Sequence, residues 1–385
     1  MIALATAGAA LASFATALTA FNLVVWPRGH VRRDAERPTS VLIPARNEAA
    51  SIERCVRSIL DDDDDTLVEV IVYDDRSTDA TPRILARLCD AYPKLRVVDG
   101  VELPPDFVGK PHACHQLAKH ATGDVLLSVD ADVTLESGGR ARIADLMDRH
   151  DAELVTAVPR QRMGSAFEAL VMPLLHVTYT SWLPLPLIWR THDPRFLAAN
   201  GQLLAVTRDT HDAVGGFAAV RHEVVDDMAF CRRVKQARRR VVFADGSRMA
   251  RCRMYDGARA LWRGFSKNLY EGIGESPIAL LVVIALYSLA FIVPWFALAG
   301  GLIDGDAALA SAGGVGVGAS VLLRAMSAAR LGHPWHGVIT HPVAVVVFLA
   351  IAFNSWRWSM SDSIEWAGRT YAARRRRTAR PGSTA

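Results

Sequence analysis

The sequence predicts an α/β domain with a mainly parallel sheet, held between transmembrane helices at its two ends. Three observations predict it. From residue 39 onward, short apolar runs alternate with helix-length segments, the spacing of strands joined by crossover helices and covered on both faces. Acidic clusters stand where those runs end. Asp74-Asp75 follows Val70-Ile71-Val72-Tyr73, and Asp130-Ala131-Asp132 follows Leu126-Leu127-Ser128-Val129. Carboxylates so placed lie at the carboxyl edge of a parallel sheet, where open α/β folds bind ligands. Finally, uncharged apolar stretches occupy residues 1–26 and much of the chain beyond 277. At 1.5 Å per residue these are long enough for the roughly 30 Å hydrocarbon core.

At 385 residues, 51% hydrophobic and 22% charged, the chain is too long for one compact core and too apolar for disorder. One soluble domain with membrane segments is the natural division. The net charge of +4 is small, and the Arg374-Arg375-Arg376-Arg377 run carries much of it. Residues 358–385 therefore read as a basic tail at a membrane surface rather than a nucleic-acid domain. Five cysteines without Cys-x-x-Cys spacing fit a reducing compartment.

Taken in order, residues 1–26 predict a transmembrane helix. The amino end lacks the positive charge of a signal peptide and the apolar run exceeds a signal core. Arg28, Arg32 and Arg33 follow it, which places the next domain in the cytoplasm. That domain spans 38–272. Strands are expected at 39–44, 69–73, 95–98 and 124–129, with helices at 49–60, 78–90 and 110–120. The aspartate run at 61–65 is a solvated loop, since it lacks the glycine and distal glutamate of a calcium loop. Residues 167–189 are apolar but interrupted by Pro173, Pro184 and Pro186, which predicts an interfacial platform within reach of a lipid-dissolved acceptor. A core helix is the plain alternative.

The sheet is expected to resume at 201–206. Glu223-Val224-Val225-Asp226-Asp227 then leads into a helix reaching about Gln236, and Val241-Val242-Phe243 follows. Two consecutive aspartates there exceed what a helix cap needs. The segment 259–268 joins cations to Trp262, suiting a diphosphate clamp or lipid headgroups. Residues 277–357 hold three apolar segments, 278–302, 307–323 and 338–356, the middle one glycine-rich. Three crossings would put the arginine run opposite the soluble domain, against the positive-inside tendency. Either the middle segment does not span or the tail departs from the rule. His112 and His115 sit one turn apart with no third ligand in view, and read as surface or core histidines.

Asp130-Ala131-Asp132 has the chemistry of a site for a hard divalent cation such as Mg²⁺ or Mn²⁺, which takes oxygen ligands and leaves positions to substrate phosphates. A polar strand end that is merely solvated is the other reading. The motifs Ile43-Pro44-Ala45-Arg46-Asn47-Glu48, Asp74-Asp75-Arg76-Ser77, Gly109-Lys110, Asp130-Ala131-Asp132 and Asp226-Asp227 occur in that order between membrane segments. In this the chain resembles the membrane-bound family 2 glycosyltransferases of GT-A fold over residues 39–271. It is most similar to those that glycosylate membrane lipids, the carotenoid glucosyltransferases and hopanoid-associated glycosyltransferases, with ceramide glucosyltransferase more distant. The ending Trp366-Ala367-Gly368-Arg369-Thr370-Tyr371 is similar to a Trp-x-Gly-Arg-x-Tyr ending in such relatives.

The resemblance implies a Rossmann-like, mainly parallel GT-A sheet and an enzyme of the hexosyltransferase class in the cell (inner) membrane, multi-pass, with its catalytic domain cytoplasmic. It implies a nucleotide-sugar donor held by Pro44, Arg46, Glu48, Asp74, Asp75, Lys110, Asp130, Trp262 and Arg263, and Mg²⁺ or Mn²⁺ held by Asp132 and Asp130. Asp227, or else Asp226, would take the proton of an acceptor hydroxyl on a membrane lipid, with inversion of the sugar. One departure stands out. In place of the Gln-x-x-Arg-Trp of processive relatives the chain has Arg259-Ala260-Leu261-Trp262-Arg263, which disfavours a polysaccharide synthase. A polyprenyl phosphate acceptor is the alternative within enzymes, although an anionic nucleophile needs no base and the aspartate pair counts against it. A catalytically silent membrane scaffold is the alternative outside enzymes, and it would be expected to have lost an acidic motif.

Overall fold

The computed structural model describes residues 1–31, 37–62 and 64–360, and the backbone of 364–366 and 369–371. Arg32, Arg33, Asp63 and the arginine run at 374–377 lie outside the described residues, as do the side chains of the 366–371 ending.

The chain opens with helix α1 (Ile2–Val25) and enters the sheet at β1 (Thr39–Ala45). Then come α2 (Ile52–Leu60), β2 (Leu67–Asp74), α3 (Thr81–Ala91), β3 (Leu95–Asp99), α4 (Gly109–His120), β4 (Val125–Val129), β5 (Val133–Leu135), α5 (Gly139–Arg149) and β6 (Leu154–Gln161). Three short helices follow, α6 (Ala166–Val171), α7 (Pro173–Ser181) and α8 (Pro186–Arg190), before β7 (Leu203–Thr207), α9 (Arg208–Ala213), α10 (Asp226–Gln236) and β8 (Val241–Cys252). The remainder is helical: α11 (Gly257–Gly272), α12 (Pro277–Phe291), α13 (Val293–Asp304), α14 (Ala307–Leu331), α15 (His336–Ile339) and α16 (His341–Met360). Two three-residue strands, β9 (Ile364–Trp366) and β10 (Arg369–Tyr371), pair antiparallel at the end.

Eight strands form one sheet in the order β3-β2-β1-β4-β7-β6-β8-β5. As the alternation predicts, β3, β2, β1 and β4 are parallel, and β6 is parallel to β8. Strand β7 is reversed, pairing antiparallel with both β4 and β6, and β5 runs against β8. Alternate residues of β1 feed opposite cores: Val41 and Ile43 pack with Ile52, Val56 and Ile59 of α2, and Leu42 packs with Leu117 of α4 and Phe230 of α10. The buried residues of α2, Ile52, Cys55, Val56, Ile59 and Leu60, recur at the spacing of one helix face.

Four described helices are long and apolar enough to cross a membrane: Ile2–Val25, Pro277–Asp304, Ala307–Leu331 and His341–Met360. The glycines of the middle C-terminal segment are contact points. A Cβ on Gly313 would come 2.2 Å from the backbone of Leu298, and one on Gly316 would come 2.7 Å from Pro294, so α14 packs its neighbours through small residues. Residues 167–189 form three proline-initiated or capped short helices rather than one continuous helix.

Helix α1 belongs to the packed fold as well as to the set of helices long and apolar enough to cross a membrane. Its end enters the second core, where Trp26 stacks on Phe243 with ring centroids 5.4 Å apart. One turn earlier, the fully buried Asn22 donates to the carbonyls of Thr180 (2.7 Å) and Leu183 (2.8 Å) and accepts from the Leu185 amide (3.0 Å). One side chain thus satisfies three backbone groups between α7 and α8. Asn22→Leu should lower stability in detergent by about 2 kcal/mol or more, because it leaves buried polar groups unmatched. Thermal unfolding would read this, and Phe21→Leu, at an exposed position on the same helix, should leave the midpoint unchanged.

Candidate functional site

The site is built at the edge where β1, β2 and β4 end and β7 begins. Because β7 is reversed, Leu203 pairs with Val129, and residues 200–202 arrive beside Asp130, whose amide donates to the Gln202 carbonyl at 3.2 Å. Lys110, in the first turn of α4, places its Nζ 2.6 Å from Asp130 Oδ1 and 3.5 Å from the Gly201 carbonyl. Gly201 lies against both charged groups. A Cβ would meet Asp227 Cβ at 3.2 Å and Lys110 Nζ at 3.3 Å.

Asp226 and Asp227 open α10, and Asp227 Oδ1 accepts from the Met228 amide at 2.8 Å. The loop before them is held from another element: Glu271 Oε1 accepts from the amides of Val224 (3.1 Å) and Val225 (3.3 Å). Glu271 ends α11, and one turn before it Lys267 faces the same space as Arg263. These groups share one cavity of about 1090 Å³. Lys110, Asp130, Asp132, Asp226, Asp227, Arg263 and Lys267 line its polar part. Its other part is walled by Leu175, Trp182, Leu183, Leu269, Ile273 and Phe348, drawn from α7 and the turn after it, the end of α11, and α16.

Electrostatics here are governed by burial. Burial, reinforced by the neighbouring carboxylates, pushes Asp226 up to about 7, against the pull of Lys110. Asp227 is raised for the same first reason. Two adjacent acids in such a place do not both ionise readily, so the pair titrates as a unit. Burial also opposes the charge on Lys110, yet Asp130 and Asp226 hold its ammonium above the usual lysine range. At Lys267 burial outweighs the pull of Asp226, Glu271 and Asp130 and brings the ammonium down to about 8.

Asp132 is pushed up to about 7 by burial and then by Asp130 and Glu48. Its Oδ1 is buried without a hydrogen-bond partner. An acid crowded by two others, with an orphaned oxygen, fits a hard divalent cation. Among the described residues no three His, Cys, Asp or Glu side chains converge as a complete metal cage.

The other sequence-predicted residues form a second limb along the edge. Asp74 ends β2 and accepts from the Ser77 amide through Oδ1 (3.1 Å), while the Asp75 amide donates to the Ala45 carbonyl (2.8 Å). Arg46 Nη1 donates to the Asp75 carbonyl. Pro44 pairs with Tyr73 in the sheet, and Glu48 Oε2 accepts from Ser51 Oγ at 2.6 Å. Asn47 and Arg76, both at φ +57°, sit in facing loops tied by the Thr78 amide, which donates to Asn47 Oδ1 at 2.8 Å. These residues of the second limb lie outside the cavity lining, and so does Trp262, which belongs to neither group. It packs against the cluster of Val171, Leu261 and Phe265 and is not among the cavity-lining residues, whereas its neighbour Arg263 is. Lys267, Gly201 and Glu271 were not singled out by motif. Arg263 and Lys267 stand four apart, the spacing of one helix face, which is the signal that could have found Lys267. His112 and His115 pack on Phe107.

Residues 40–229 match the family described as Glycosyl transferase family 2. Among curated proteins, 4,4'-diaponeurosporenoate glycosyltransferase of Staphylococcus aureus (strain USA300) is 25% identical over 364 residues, covering 86% of this chain and 88% of that protein. Its counterpart in strain MRSA252 is 26% identical over 349 residues, with the same coverage. Among solved structures, mannosyltransferase PcManGT from Pyrobaculum calidifontis, in complex with GDP-Man and Mn²⁺, matches with a TM-score of 0.53 at 19% identity, covering 92% of this chain and 99% of that one. This last likeness is one of fold.

The cation fit can be checked without turnover. Calorimetric titration of the purified chain with Mn²⁺ and a nucleoside diphosphate should reveal one site, and Asp132→Asn should abolish the heat of Mn²⁺ binding. Unchanged binding in that variant would mean that the orphaned oxygen has another purpose.

Proposed function

Since residues 40–229 give this chain a family 2 glycosyltransferase domain and its sheet is of the GT-A type, the chain is a glycosyltransferase, and we propose that it moves a sugar from a nucleotide-sugar donor to a hydroxyl of a membrane lipid. The observation that carries this reading is the single cavity, charged at the sheet edge and apolar where it meets the candidate membrane helices. A soluble acceptor has no use for the apolar part. A lipid lying among those helices can present its polar end to Asp226 and Asp227.

Each residue has a task in this reading. The limb formed by Glu48, Asp74 and Asp75 receives the nucleoside, with Pro44 and Arg46 shaping it. Lys110, Arg263 and Lys267 face the diphosphate, and their positive charge offsets the charge that grows on it as the glycosidic bond breaks. A divalent cation held by Asp132 and Asp130 would supply Lewis-acid stabilisation of the same leaving group. Asp227, fixed by the Met228 amide, takes the hydroxyl proton as the oxygen attacks the anomeric carbon, and Asp226 shares that proton. A single displacement inverts the anomeric centre.

The related mannosyltransferase was solved with GDP-Man and Mn²⁺, which supports a nucleotide-sugar donor and a cation. The Staphylococcus aureus relatives are named for diaponeurosporenoate, a carotenoid, which supports an apolar acceptor. That acceptor's name denotes a carboxylate, which needs no base. The buried acid pair favours a hydroxyl, whose proton must go somewhere. The catalytic domain is taken to face the cytoplasm of a cell membrane.

The test is to incubate membranes containing the chain with Mn²⁺ or Mg²⁺, a panel of radiolabelled nucleotide sugars and total lipid extract, then follow label into the organic phase. Asp227→Asn should reduce kcat by about 10²-fold or more, the usual worth of a positioned base, while leaving donor binding intact. Labelling that survives the substitution, or that goes only to a lipid phosphate or carboxylate, would overturn the assignment of the base.

The pH profile gives a second check. Burial raises both acids, so the base form is gained at a higher pH than for an ordinary carboxylate, with Asp226 titrating through about 7. Lys267 is lowered, so its charge is lost as pH rises through about 8. A narrow optimum between these values is expected for kcat/KM of the donor, and Lys267→Arg should extend the alkaline limb because arginine keeps its charge.

A further inference from the structure

We propose that residues 332–360 double back to the catalytic face instead of crossing the bilayer, and that α16, on its return, supplies through Phe348 and Trp358 the membrane-side wall that selects the acceptor. The part concerning the acceptor rests on the transferase reading above; the part concerning the path of the chain does not.

By length and composition α16 could cross, but its contacts put both ends of the segment on one side. Helix α14 ends against the catalytic domain, where Arg330 Nη1 lies 2.6 Å from Asp245 Oδ2 and Arg330 Nε donates to the Leu23 carbonyl at the end of α1 (3.3 Å). The far end of α16 also meets that domain. Asn354 Nδ2 donates to Ser266 Oγ (3.0 Å), Ser355 Oγ accepts from the Tyr270 amide (2.9 Å), and Trp358 lines the catalytic cavity. Ser266 and Tyr270 belong to α11, the helix that brings Lys267 to the same cavity.

The start of α16 is the deep point. His341 packs edge-on against Phe291, ring centroids 4.8 Å apart. Phe291 ends α12, a 15-residue helix that begins just after α11, so it lies about 20 Å along α12 from the catalytic face. Near the beginning of α12, Leu280 packs with Ala352. Helix α16 therefore runs back along α12 toward the catalytic face.

The chain must turn at bilayer depth to do this, and irregular backbone there is tolerated only where protein satisfies it. Arg324 provides this. It is 1% exposed in the middle of apolar α14, and its Nη2 donates to the carbonyl of buried Gly337 at 3.2 Å. A buried intramembrane arginine requires a reason, and a turn that would otherwise have an unpaired carbonyl is one. His333 Nε2, at the foot of the turn, lies 3.2 Å from His176 Nδ1 on α7. The chain then leaves residue 360 on the side of the catalytic domain. This is the side that the positive-inside tendency assigns to an arginine run such as the one at 374–377, so neither the glycine-rich helix nor the tail has to break a rule.

The test uses the full chain in right-side-out and inside-out vesicles, treated with a membrane-impermeant maleimide and read peptide by peptide. Cys89, half-buried on the catalytic domain, marks that domain's side, and Ile303→Cys, at an exposed position ending α13, marks the other. Met360→Cys should label in the orientation that labels Cys89, and an epitope placed after Ala385 should be cleaved by added protease in that orientation only. Cleavage in the orientation that labels Ile303→Cys would overturn the proposal whatever the maleimide shows. For the wall, Phe348→Ala and Trp358→Ala should each raise the acceptor KM by about tenfold, the weight of a buried aromatic contact, with nucleoside diphosphate binding unchanged. An unchanged acceptor KM in both would remove the wall. The vesicle result needs no activity, so it stands or falls apart from the transferase reading.

Discussion

Val129 pairs with Leu203 because β7 runs antiparallel to β4, and this register fixes what the catalytic edge can be. A strand in the usual direction would present its carboxyl end beside Asp130 and carry residues 200–202 to the opposite edge. The reversal instead brings Gly201 within reach of Lys110 and Asp227 at once. Two acidic clusters nearly a hundred residues apart thereby meet across a residue with no side chain.

Helix α11 joins this edge to the apolar helices. Its face carries Arg263, Lys267 and Glu271 at four-residue intervals, two toward the cavity and the third gripping the amides of Val224 and Val225 just before the aspartate pair. The adjacent side, at Ser266 and Tyr270, is held by Asn354 and Ser355 of α16. Helix α11 thus touches both α16 and the loop that sets Asp226 and Asp227.

The parts legible in the sequence were those written in local chemistry. Strands β1 to β4 are short apolar runs, β2, β3 and β4 meeting an acid at or just past their ends, so their positions and their parallel pairing followed from pattern. The direction of β7 did not, because direction is set by which neighbours a strand pairs with and LLAVT reads the same either way. Strand β6 is obscured by Pro159 and ends in Arg160 and Gln161, so no clean alternation marks it. Trp262 drew attention as an aromatic among cations, yet one residue is a 100° turn on a helix, and the cavity falls to Arg263 and Lys267. The number of crossings was illegible for a similar reason. Hydropathy registers length and composition, and the one local sign of a turn inside the bilayer was a single arginine at 324.

Charge balance gives the cavity its character. Asp130, Asp132, Asp226 and Asp227 face Lys110, Arg263 and Lys267, with Glu48 close enough to raise Asp132 further. Before any ligand arrives, acids outnumber bases in a largely buried space, and the strain is relieved by holding protons, which is what the upward shifts of Asp132 and Asp226 express. A nucleotide diphosphate adds negative charge to this balance, so it can enter readily only with a compensating cation or with those protons retained. Retained protons would disable the base. A cation at Asp132 would relieve the crowding at that acid while leaving the Asp226–Asp227 pair free to lose its proton, and the separation of these two acidic groups across Lys110 would let the proposed donor binding and proton removal occur in the same cavity.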